Sequence, residues 1–177
     1  MKKLYVIMIL ALAAVGLCAQ EGLFGLAYGD DLNFADSLMV QQGFIAREVI
    51  SSWVIYTSDY NPLIDFVVLY VDPATEILRG WSVVYNAENT QEQDGYVLDR
   101  LHKMHGENVL VNEARETVSW IFDENLAASY SYSPQGNLRV MYYDFSCPEL
   151  FALPGTEKEP EPSEPVEPDV EEKNQAR

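Results

Sequence analysis

Twice along this chain a stretch with helical spacing gives way to a series of short strand-like runs, and this repeated change of period restricts the fold more than any other feature. Residues 32–42 place apolar side chains at Leu32, Ala35, Leu38 and Met39, with Asp30 and Asp31 as candidate caps. Gly43 follows where a helix commonly ends in the left-handed region. Strand-like runs come next at 52–57, 63–71 and 77–85, separated by turns at 58–62 and 72–75. Thr90-x-x-Gln93 then has the form of a capping box. It opens a second helix through Val97, Leu98, Leu101 and Met104, which closes at Gly106, and further runs occupy 117–122, 126–132 and 138–144.

Laid over each other, the two stretches agree in detail. Each helix ends at a glycine, and each following strand holds a tryptophan, Trp53 or Trp120. Ile77-Leu78-Arg79 matches Asn137-Leu138-Arg139, and the strands they open close at Tyr85 and Tyr143. The predicted fold class is α+β: a two-layer antiparallel sheet of up to six strands with both helices on one face. It reads as two αβββ units over about 23–86 and 87–147, with chance likeness of short motifs as the alternative to a true duplication. An αβββ unit covers its helix with only half a core, so pairing two units is favourable. In this register Trp53 is expected under the first helix near Leu38 and Trp120 under the second near Leu101, with Trp81 on the open face.

The ends differ from the middle. Lys2 and Lys3 precede the uncharged run 4–17, and small residues follow, which is the pattern of a secretory signal peptide over 1–19. The run is shorter than the roughly 20 apolar residues of a retained membrane helix, so no transmembrane segment is expected after cleavage. An uncleaved anchor is one alternative. A lipid on Cys18 is another, although Leu17 stands where a lipobox has a small residue. Residues 154–177 carry five of the nine prolines interleaved with Glu, and they read as a disordered Pro/Glu-rich tail outside the single domain 20–153. The expected location is the periplasm or the exterior, possible attachment to the cell envelope included.

Charge and cysteine use exclude more than they assign. The formal charge is −17, and losing Lys2 and Lys3 with the leader takes it to −19. Residues 20–153 hold twenty acidic against six basic side chains, which disfavours nucleic-acid partners. Only Cys147 remains after processing, so no internal disulfide supports the domain. Cys147 itself is expected as a small buried hydrophobe near the domain end.

Candidate chemistry is sparse. Asp99, His102 and His105 fall roughly on one face of the second helix, a donor set acceptable to zinc. Histidines near a helix C-terminus are also favoured by the dipole alone and are then solvated. Asp59, Asn61 and Asp65 have part of a calcium-loop spacing. Ile64 replaces its glycine and Tyr70 its final glutamate, so a turn is the simpler account. No phosphate cradle, hydrolase elbow or cofactor motif is present, and no cofactor is expected. Tyrosine stands out, with eleven in the chain. Tyr130, Tyr132 and Tyr142, with Trp81, are the candidate binding surface on the sheet, against plain strand filling as the alternative.

The segment Leu23-Phe24-Gly25-Leu26-Ala27-Tyr28-Gly29-Asp30 through Gly43-Phe44 resembles the opening of small exported bacterial α/β domains of uncharacterised function. Leu101-x-x-x-x-Gly106, Thr117-Val118-Ser119-Trp120 and Gly136-Asn137-Leu138-Arg139 are similar to the helix, tryptophan strand and last hairpin of the same group. Some of those domains resemble the two-layer modules of outer-membrane assembly lipoproteins. This chain departs from them where Gly106-Glu107-Asn108 replaces a Gly-x-Pro. The resemblance covers most of 23–145, and it implies a fold and a compartment without assigning a catalytic residue. The expected function is a non-catalytic exported domain that binds a protein, peptide or cell-envelope component through its sheet. The alternative is a small metal-dependent or hydrolytic enzyme using Asp99, His102 and His105.

Since the tail has no apolar periodicity, deleting 154–177 is expected to leave the thermal midpoint within about 2 °C, as for changes remote from a core. A larger loss in a calorimetric scan would show that the tail packs on the domain.

Overall fold

The computed structural model describes residues 21–151, so the predicted leader and tail lie outside it. The fold is α+β: one eight-stranded antiparallel sheet with two helices packed on one face. Helix α1 is Leu32–Gln41 and α2 is Gln91–His105. The strands are β1 Ile45–Ile50, β2 Trp53–Thr57, β3 Ile64–Asp72, β4 Ile77–Tyr85, β5 Leu110–Asn112, β6 Thr117–Ile121, β7 Leu126–Tyr132 and β8 Leu138–Asp144. Short 3-10 turns occupy Leu23–Gly25, Glu113–Arg115 and Pro148–Phe151.

Local chemistry accounts for the helix ends. The Asp31 side chain accepts from the Asn33 amide at 2.9 Å. Thr90 and Gln93 form both bonds of the capping box, at 2.8 and 3.3 Å. Gly106 has φ 88° and ψ −177°, a region open essentially to glycine alone, and Gly43 also has positive φ.

The strand order is β1-β2-β3-β4-β8-β7-β6-β5. Each half is therefore a helix followed by a four-strand meander, and the halves join through their last strands. This corrects the six-strand αβββ expectation to αββββ. The missed strands are the two sheet edges. β1 is exposed along its whole length, and a register shift between Ala46 and Glu48 breaks its alternation. β5 has three residues, all exposed.

Strand parity sorts the side chains at the seam between β4 and β8. Trp81 pairs with Tyr142 and Val83 with Val140, and all four face the helices within the main core. Ala35 and Met39 of α1 and Val97 and Leu101 of α2 close over them. Trp81 stacks on Tyr142 at 4.3 Å and 12°.

The tryptophan register needs correction at two places. Trp120 lies buried under α2 as expected, with His102 and His105 against its ring. Trp53, however, is paired with Tyr70 on the opposite face, and its Nε1 donates to the Leu150 carbonyl at 2.9 Å. Trp81 is the one fully enclosed on the helix side. The overlay of Tyr85 on Tyr143 slips similarly, since Tyr85 is core and Tyr143 faces the open side. A shift of one residue reverses the face of a strand residue. The first half contains three register shifts, and the pairings of β5 through β8 contain none.

Trp81→Ala is therefore expected to lower the urea midpoint most of the three tryptophan substitutions, by about 3–5 kcal/mol of stability. Trp53→Ala should cost clearly less. Equal losses in denaturation curves would place Trp53 in the main core.

Candidate functional site

The helix side encloses most of the candidate residues. Trp81 and Tyr142 are fully buried, so neither offers an open binding surface. Tyr130 is half-buried against Trp120 at 5.9 Å, on the helix side. Tyr132 is 44% exposed at the sheet margin, where burial and the Asp94 carboxylate raise its pKa. The proposed tyrosine set thus faces the helices. In the Tyr142-Tyr143 pair it is Tyr143 that looks outward.

Asp99, His102 and His105 do not converge. Asp99 is exposed. The His102 Nδ1 lies 3.4 Å from a Glu107 carboxylate oxygen. The His105 Nε2 meets the Tyr142 hydroxyl at 2.8 Å, and its ring packs on Trp120 and Phe122. Among the described residues, no three His, Cys, Asp or Glu side chains are placed to hold a metal ion. The histidines are partly enclosed rather than solvated, because Trp120 in β6 rises beneath the last turn of α2. Burial lowers the His105 pKa to about 4. Its Nδ1 is buried without a partner, so protonation would leave an unsatisfied N–H there as well.

Other sequence candidates resolve simply. Asn61 accepts from the Leu63 amide at 3.3 Å, and Asp59 pairs with Arg47, which is a turn with a surface ion pair. Cys147 is partly exposed rather than buried, because it sits in the turn after β8, with Sγ 3.6 Å from the Ser146 hydroxyl.

The other sheet face carries the groove that tyrosine counting missed. Met141 of β8 and Ser129 of β7 are register partners on its floor, and Tyr143, Phe145 and Phe151 form its walls. Its volume is about 320 Å³. The Tyr143 and Phe145 rings meet edge-on at 4.6 Å, and Phe151 lies 6.3 Å from Tyr143. Beside it, an Arg139 Nη donates to the Tyr70 hydroxyl at 3.2 Å, and that hydroxyl is 3.3 Å from Ser82 Oγ.

The Pro148–Phe151 turn covers only the first-half side of this face. Phe151 rests on Tyr70 at 4.8 Å, over Gly80, where a Cβ would collide with the Phe151 ring and the Tyr142 carbonyl. At the groove end, Arg79 bridges Asp72 and Asp144 at 3.4 and 3.5 Å. Asp72 is held below the usual carboxylate range chiefly by the Ala74 amide, with Thr75 and Arg79 adding to it. The alternation of β8 is the signal for this groove, since Arg139, Met141 and Tyr143 share its outer face.

No helix among the described residues is long and apolar enough to cross a membrane. Compared with protein-family models, curated proteins and solved structures, the chain matches none.

The depressed His105 pKa gives a pH dependence of known sign. The unfolded chain takes up this proton near pH 6.5 and the folded chain only near 4. Its contribution is complete above pH 6.5 and declines as pH falls toward 4. His105→Gln is expected to flatten the stability slope across that window in urea titrations at stepped pH. An unchanged slope, or a His105 imidazole titrating near 6.5 by NMR in the native protein, would contradict it.

Proposed function

We propose that this domain is a non-catalytic binding module whose open sheet face takes an extended segment of a protein, peptide or envelope component. The observation that carries the reading is the groove over Met141 and Ser129, walled by three aromatic rings on a face that no helix or strand covers among the described residues. Aromatic walls supply apolar contact at low entropic cost, and the flanking hydroxyls of Ser129 and Ser131 orient polar atoms of a ligand. Arg139 and Arg115 give this face positive charge within a strongly acidic protein. An acidic or neutral segment suits it better than a basic one. Export to the periplasm or exterior, as the leader-like N-terminus implies, belongs to the same proposal.

Site-specific photocrosslinking tests the face. A crosslinker at Met141, or at Phe66 on the exposed outer face of β3 opposite Val84, is expected to trap a partner from envelope extract, and one at Glu92 on α2 is expected to trap none. Capture from Glu92 alone, or equal capture from all three, would move the binding surface elsewhere. Met141→Glu should abolish capture by Phe66 while leaving the circular dichroism spectrum unchanged.

A further inference from the structure

A second cavity opens on the helix side of the sheet, away from the groove. It lies between the Leu23–Gly25 turn, the start of β3 and α2, and has a volume of about 160 Å³. Phe24, Leu63, Ile64 and Val97 give it apolar walls, and Tyr85 lines it from β4. An apolar cavity near 150 Å³ accommodates a benzene-sized group. Arg100 of α2 also lines it, as the only cation there among the described residues.

Two independent features set this cavity apart from a packing gap. The first is the state of Arg100. Residues 20–153 hold twenty acidic against six basic side chains, and Arg47 and Arg79 are each engaged by carboxylates. The ion pairs among the described residues do not include Arg100. Its charge nevertheless reaches the buried Tyr85 hydroxyl, where it opposes the rise in pKa that burial causes. With its side chain on the cavity lining beside Tyr85, Arg100 places a guanidinium at this site. Its planar fork suits a carboxylate, and a charge-assisted bond there is stronger than a neutral one.

The second feature is backbone strain at the wall. Phe24 has φ 68° and ψ 8°, a left-handed conformation unusual for a bulky residue. Such a conformation persists only where its surroundings over-determine it. Here the Gln42 side-chain amide donates to the Phe24 carbonyl at 2.7 Å, and Phe44 meets the Phe24 ring edge-on at 5.2 Å. Contacts from two residues that follow α1 at its C-terminal end therefore hold a strained residue as one wall of the cavity.

We propose that this cavity binds a small carboxylate carrying one benzene-sized apolar group, with the apolar group between Phe24, Ile64 and Val97 and the carboxylate on Arg100. A free aryl or alkyl acid and the C-terminal residue of a peptide share this chemistry. The site is separate from the open sheet face, so either assignment stands or falls without the other.

Methyl NMR of the full chain, observing Leu63, Ile64 and Val97, tests the site. 3-Phenylpropionate is expected to give saturable shifts confined to these methyls and to Leu23. 3-Phenylpropanol, which lacks the charge, should bind at least about tenfold more weakly, the usual scale of one charge-assisted bond. Arg100→Gln, an exposed substitution that leaves the core intact, should reduce the acid to the level of the alcohol. An acetylated dipeptide ending in Phe, compared as free acid and amide, distinguishes the sources: tighter binding of the peptide acid assigns a peptide C-terminus, and tighter binding of phenylpropionate assigns a free acid. No saturable shift up to about 10 mM would overturn the proposal. So would equal binding of acid and alcohol, or wild-type binding by Arg100→Gln.

Discussion

The pairing of β4 with β8 is the contact on which the rest of this fold depends. Each four-strand meander ends at that seam, and through it two half-sheets become one sheet with a common core. Its register places Trp81, Val83, Val140 and Tyr142 together beneath the helices. A slip of one residue in either strand would bring Ser82 or Met141 beneath the helices and send a large aromatic ring outward. The Trp81–Tyr142 stack adds about 0.5–1.5 kcal/mol beyond its buried area. The Tyr142 hydroxyl also accepts from the Leu23 amide at 3.3 Å and meets His105. The N-terminal turn and the end of α2 are thereby anchored to the same two strands.

This seam also explains why the tyrosine signal in the sequence pointed inward. Tyr142 has a hydroxyl that needs a partner, and the core provides two. Tyr28 satisfies its own hydroxyl on the Ala127 carbonyl at 2.8 Å, and Tyr56 does so on Asp36 at the same distance. Burial raises the pKa of each of these three phenols, so they act as neutral hydrogen-bonding groups. These three tyrosines are enclosed residues with a polar tip, which is how a domain with a single cysteine among its described residues fills a wide sheet.

Elements governed by local chemistry were legible in the sequence. Both helices, their caps and six strands follow from apolar period, capping residues and turn signals, and β4, β7 and β8 have the expected bounds. Features governed by pairing were not. β1 and β5 bury no side chain, so neither leaves an apolar period to read. The face of Trp53 depends on its register against Tyr70, and the register shift between Leu78 and Gly80 in β4 reverses the face of Tyr85 relative to Tyr143. Arg79 and Arg139 match in sequence yet differ in role. Arg79 bridges two carboxylates, while Arg139 bonds a phenol.

Repetition of topology without repetition of surface is what sets the two sides of the open face apart. On the first-half side that face presents Ile55, Phe66, Val68 and Val84, and the Pro148–Phe151 turn closes over Tyr70 and Gly80 beside them. On the second-half side it presents Thr117, Ser119, Ser129 and Ser131, with Met141 and Tyr143. A sheet face needed only for packing would be apolar and covered throughout, and one needed only for solubility would be polar throughout. Here a covered apolar zone abuts a row of hydroxyls, and the boundary between them is lined by Tyr143, Phe145 and Phe151. Phe145 is 48% exposed although nearby apolar surface is available to it. Gly80 lets Phe151 descend onto the sheet, and the descent of that turn is what gives the boundary its depth. The groove is thus a product of the one place where the two halves differ most.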